Sequence, residues 1–104
     1  MSVSATARTP TVHAARYLQQ LCKHWQHNLA VTFDAGHGTV VFPRDARGAD
    51  WPGDATVTFT AAADALVTRI DASVGGQLEG LKGAVARHLD RFAFREAPLA
   101  FEWQ

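Results

Sequence analysis

Two stretches with a helical hydrophobic period flank a central block of short, alternating, β-branched runs, and this arrangement leaves few folds open. Placing residues at about 100° per position puts Ala14, Leu18, Leu21, Cys22, Trp25 and Leu29 of the first stretch on one stripe. His13, Arg16, Gln20, Lys23, His24 and His27 fall on the other side. Thr11, just after Pro10, is expected to cap this helix, which should run over residues 12–28. In the second stretch Val74, Leu78, Leu81, Val85, Leu89 and Phe92 share a face, and Arg87, Asp90 and Arg91 point away from it.

The block between the helices reads as two hairpins. Residues 30–34 (AVTFD) alternate with period two, residues 39–42 (TVVF) are β-branched, and residues 35–38 form the turn between them. Residues 55–61 (ATVTFTA) and 66–71 (LVTRID) make the second pair, joined through residues 62–64. Pro43, Gly48, Pro52 and Gly53 mark residues 43–54 as a loop. Residues 3–9 are expected to form an edge strand that Pro10 ends, and residues 99–103 (LAFEW) a last strand after a break at Pro98.

The expected order is β-α-β-β-β-β-α-β in a single α+β domain spanning residues 1–104. A two-layer sandwich satisfies it, with a mostly antiparallel sheet and both helices on one face. The simplest version is a ferredoxin-like core with an added hairpin. A chain of 104 residues, 47% of them hydrophobic, suffices for one such core.

Several function classes are disfavoured. The formal net charge is zero and no aromatic platform interleaves the basic residues, which argues against nucleic acid. No run of about 18 apolar residues is present, so no membrane span is expected. The opening residues are polar and lack the apolar core of a secretory signal, so a cytoplasmic protein is expected. Cys22 is the only cysteine, which rules out an intrachain disulfide and a multi-cysteine metal site.

Charge is nonetheless uneven along the chain. Residues 1–33 contain no Asp or Glu, yet carry Arg8, Arg16, Lys23 and three histidines. Residues 34–79 hold seven acids against Arg44, Arg47 and Arg69. The polar side of the first helix is thus cationic or titratable throughout, with Arg16, Lys23, His24 and His27, and Arg87 and Arg91 of the second helix are expected to extend it. Such a face suits an anionic ligand or an acidic partner. His24 and His27, three residues apart, can also meet one zinc, iron or copper ion if further ligands approach. Cys22 lies on the apolar stripe and reads as a structural thiol. His88 reads as a boundary residue of the second helix. Gly76, Gly80 and Gly83 form a smooth strip opposite that helix's apolar face, where a close neighbour such as the first helix or a second copy of the chain could pack.

Residues 15–27 (ARYLQQLCKHWQH) and 86–96 (ARHLDRFAFRE), with the opening SATARTPTVHAARY, carry a resemblance. Together they resemble a family of short bacterial proteins catalogued as a domain of unknown function. The resemblance implies an iron-uptake context, because such proteins accompany or are fused to siderophore-interacting proteins, flavin-linked reductases of ferric siderophores. It assigns no residue a role. The 43–53 loop is longer and the second helix richer in glycine than in that pattern.

The expected function is a small, non-enzymatic accessory module of iron or siderophore handling. Its basic, histidine-bearing face would meet a ferric siderophore or a siderophore-interacting reductase. Two alternatives stand beside it: a small enzyme using His24, His88 or Arg91 in acid–base chemistry, and a purely structural, homodimerising domain. The residues leave any cofactor unassigned.

Overall fold

The computed structural model describes residues 2–96 and 99–104. Seven elements follow the expected order up to the C-terminus: β1 (Val3–Pro10), α1 (Ala14–Trp25), β2 (Ala30–Phe33), β3 (His37–Phe42), β4 (Ala55–Ala61), β5 (Ala65–Ala72) and α2 (Gly75–Phe92), and a short 3₁₀ turn (Ala46–Gly48) lies in the loop before β4. The five strands form one antiparallel sheet in the order β1-β5-β4-β3-β2. The terminal β element is reduced to one bridge. Ala7 pairs with Trp103, and Thr6 and Gln104 exchange backbone bonds of 3.0 and 2.9 Å. This segment lies outside β1 and covers part of its edge. The added hairpin therefore lengthens the middle of a ferredoxin-like order without disturbing its ends. The break expected at Pro98 lies outside the described residues. No helix among the described residues is long and apolar enough to cross a membrane.

Alternation decides which side of each strand is covered. Val57 and Phe59 of β4 face the helices and are fully buried, whereas Thr56, Thr58 and Thr60 lie on the open face. In β5 Leu66, Thr68, Ile70 and Ala72 point inward, while Val67, Arg69 and Asp71 point outward. The register Val57↔Ile70 and Phe59↔Thr68 aligns these inward sets across the two strands. The core closes when α1 lays Leu18, Leu21 and Trp25 on this surface and α2 adds Leu78, Leu81, Val85 and Leu89.

Four local expectations need correction. Thr11 does not cap α1, because the N-cap position falls at His13; the Thr11 backbone N–H donates to Asp64 O at 3.0 Å, beside the end of β1. The helix begins two residues later than expected, after His13, and the Thr11 hydroxyl oxygen accepts the His13 N–H at 3.1 Å. Tyr17, left off the apolar stripe, is buried, and its hydroxyl donates to the Glu96 carboxylate, which Thr11 also reaches at 3.0 Å. The β2–β3 turn is shaped by Asp34, whose Oδ1 accepts the Gly36 and His37 N–H groups, each at 2.8 Å. Strand β3 consequently starts at His37, inside the expected turn.

Candidate functional site

Both helices lean on the sheet, and a cavity of about 550 Å³ lies between them and the 43–54 loop. One wall is the C-terminal end of α1, with His24, Trp25, Asn28 and Leu29. The second is α2, where Gln77, Gly80, Leu81, Ala84, Arg87 and His88 recur at helical spacing. Phe42, Pro43, Ala46 and Trp51 of the intervening chain close the third side.

The loop wall is tied down by polar groups. Gln77 is 3% exposed, and its Oε1 accepts the Ser73 N–H at 2.7 Å and the Ser73 hydroxyl at 2.6 Å. Its Nε2 donates to Gly53 O at 3.0 Å, so one side chain latches the loop to the start of α2. Arg44 N donates to Asp54 Oδ1 at 2.8 Å, and Trp51 N to Arg44 O at 3.0 Å, which fixes Trp51 over α2. The glycine at position 76 lets the ring sit close, since a Cβ there would approach it to 3.2 Å, a contact that only a shift of the ring by a few tenths of an ångström would relieve.

The glycine strip of α2 does admit close neighbours, and among the described residues of the one chain these are side chains. Gly76 receives the indole of Trp51. Gly80 faces the cavity, and a Cβ there would have nothing within 4 Å. Gly83 is crossed by Arg87, whose guanidinium nitrogen would lie 2.9 Å from a Cβ at that position.

Aromatic rings dominate the inner end. Trp25 meets Phe42 edge-on at 5.1 Å between centroids and His88 at 5.1 Å, and His24 lies 5.4 Å from His88. His88 Nδ1 is 2.7 Å from Ala84 O, and because a carbonyl only accepts, that nitrogen carries the proton. Among the described residues lining the cavity there is one permanent cation, Arg87, two histidines and no Asp or Glu. Arg87 joins no ion pair among the described residues. The arrangement provides an apolar, aromatic interior with cationic and imidazole groups at its margin, chemistry suited to holding a molecule with negative charge.

The structure divides the residues singled out from the sequence. His24 and Arg87 come together at the cavity. Arg16 lies at a smaller depression of about 300 Å³, with Tyr17, Gln20 and Arg95. Lys23, His27 and Arg91 are exposed and line neither. The ring beside His24 is His88, and among the described residues no three His, Cys, Asp or Glu side chains converge to hold a metal. His88 is a half-buried boundary residue bonded to the backbone. Cys22 is buried, and burial pushes its thiol up to about 11, which suits a structural role. Trp51 and Gln77 were not singled out from the sequence. A lone tryptophan in a polar loop was the available signal for the first, and nothing in the sequence pointed to the second.

The fold and site define a small α+β sandwich with one aromatic, cation-rimmed interhelical cavity. The chain belongs to the family described as uncharacterized protein conserved in bacteria (DUF2218), whose model matches residues 6–104. It is also similar to a solved structure, the NMR structure of PA4090 from Pseudomonas aeruginosa. That likeness has 28% identity and a TM-score of 0.73, and covers 97% of this chain and 94% of the other. No curated protein matches the chain.

Proposed function

We propose that this chain is a small cytoplasmic binding module that holds an anionic ligand in the cavity between α1, α2 and the 43–54 loop, as an accessory of iron or siderophore handling. The observation that carries the reading is the lining itself: Arg87, His24 and His88 around an aromatic interior, with no carboxylate among the described lining residues. Exposed Lys23 and His27, one turn or less from His24, add positive or titratable charge to the approach. Residues 1–33 carry no acid to offset it. A cavity of about 550 Å³ is within the range that takes a small organic molecule, or one arm of a larger one such as a ferric siderophore. The iron context comes from the family resemblance, and a siderophore-interacting reductase is the partner it suggests.

The test is calorimetric titration of the wild type and of a His24→Ala/Arg87→Gln variant with ferric siderophores, transition-metal salts and a siderophore-interacting reductase. The wild type should bind an anionic ligand more tightly than the variant does. Affinity should fall as salt rises, because exposed charges are screened over about 10 Å at 0.1 M. Identical behaviour of the two proteins towards every ligand would overturn the reading.

A further inference from the structure

The shape and lining of the cavity restrict the ligand beyond its charge. Two features act together. Gly80 puts no side chain into the space, and neighbouring Ala84 only a methyl, so the α2 wall presents a smooth, shallow floor. Around it stand the rings of Trp51, His24, Trp25, Phe42 and His88. Aromatic faces and edges prefer another ring over an aliphatic chain of the same area, because their quadrupoles pair in offset or edge-on geometries. Arg87, at the solvent side of the same wall and folded across Gly83, has a planar fork that matches a carboxylate in two parallel hydrogen bonds.

We propose that the cavity selects a planar aromatic carboxylate of one or two fused rings, its ring lying on the Gly80–Ala84 floor beside Trp51 and its carboxylate paired with Arg87. This assignment rests on the anion-binding reading above and names the substrate class of the same site. The trapped ring also accounts for the loop. Trp51 is held in place by Gly76 beneath it and by the Gln77 latch to Gly53, so that wall is preformed and little ordering is left for the ligand to bring about.

The experiment is calorimetry with three matched probes: 2-naphthoate, its saturated counterpart decahydro-2-naphthoate, and neutral 2-naphthamide. On the wild type, 2-naphthoate should bind roughly 3- to 10-fold more tightly than the saturated acid, the advantage of ring–ring contact over equal area. Arg87→Gln should weaken 2-naphthoate by about 10-fold or more while leaving 2-naphthamide nearly unchanged, as expected for loss of a charge-assisted pair. Gly80→Leu, which fills the floor in a position open to a side chain, should abolish binding of both acids while the protein melts no lower than the wild type. Equal affinity for the saturated and aromatic acids would overturn the aromatic assignment and leave the anion-binding reading standing. Failure of both acids to bind the wild type would overturn the aromatic-carboxylate assignment, and the siderophore and metal titrations above then decide the anion-binding reading by themselves. Undiminished binding by a folded Gly80→Leu protein would overturn the placement on α2.

Discussion

At the residue scale, single side chains and single missing side chains set the packing. Gly38 of β3 is the clearest case. A Cβ there would lie 2.6 Å from Cys22 Sγ and 3.4 Å from Phe33 Cβ, so α1 can approach the sheet only because that position is bare. Gly38→Ala should therefore cost roughly 1–3 kcal/mol, the usual range for overpacking. Adding Cys22→Ala should return much of it, and a double-mutant cycle of urea unfolding reads the coupling. The sequence shows Gly36-His37-Gly38 as a turn motif and gives no sign of this contact, because the partner is sixteen residues earlier on another element. The Tyr17–Glu96 pair is similarly invisible until the fold joins α1 to the chain after α2. The Tyr17 hydrogen bond, followed by that of Thr11, holds the Glu96 carboxyl below its ordinary value of 4.5. The same bond, with burial, raises Tyr17 above 10.0. A depressed carboxyl stabilises the fold above its unfolded value and loses that contribution as pH falls through the folded one. A raised phenol stabilises below 10.0 and loses its part as pH rises through the folded value. Glu96→Gln should therefore lower stability at neutral pH and bring the two proteins together in acid, below about pH 4.5. Chemical denaturation across pH checks this, and a constant gap at all pH values would count against the pair.

At the element scale, periodicity was the reliable guide. The stripe of α1 and the alternation of β4 and β5 name most of the buried side chains, because burial of one face is what gives an amphipathic element its pattern. Leu21 is fully buried between α1 and the sheet, and Leu21→Ala should cost about 2–5 kcal/mol in denaturant unfolding through the cavity it leaves. Ends of elements were harder to read. Thr11 has the right chemistry for a cap, yet the helix starts two residues further on than expected, and the Thr11 hydroxyl oxygen accepts the N–H of His13, the residue before the helix. The glycines of α2 look like a packing strip from the sequence, but each serves a different neighbour: an indole, a cavity and a guanidinium. Within the chain a Cβ at Gly80 would meet nothing within 4 Å among the described residues, so Gly80→Ala should stabilise the protein by up to about 1 kcal/mol, the helix-propensity difference. A lowered melting temperature for that variant would mean that something covers Gly80.

At the scale of the whole molecule, the sheet and helices were legible as a class of fold, and the cavity was not. Its walls come from three separated stretches of chain, and only His24 and Arg87 among its margin residues had been placed in a ligand-binding set by charge alone. Trp51 enters through loop geometry that no periodicity encodes, and Gln77 through a latch between loop and helix. Charge asymmetry pointed to the α1 face, and the fold turns one edge of that face into the rim of an open cavity. The central claim is that this space, and not the outer α1 surface or the open threonine-bearing face of the sheet, is where a ligand binds. The most direct measurement is a map of amide chemical-shift changes in the nitrogen–proton spectrum of the labelled protein as 2-naphthoate is added. Changes should concentrate in residues 24–29, 42–53 and 77–88 and should disappear in the Gly80→Leu protein. Changes centred on Lys23 and His27 alone, or on Thr39, Thr56, Thr58 and Thr60 of the open sheet face, would contradict the account.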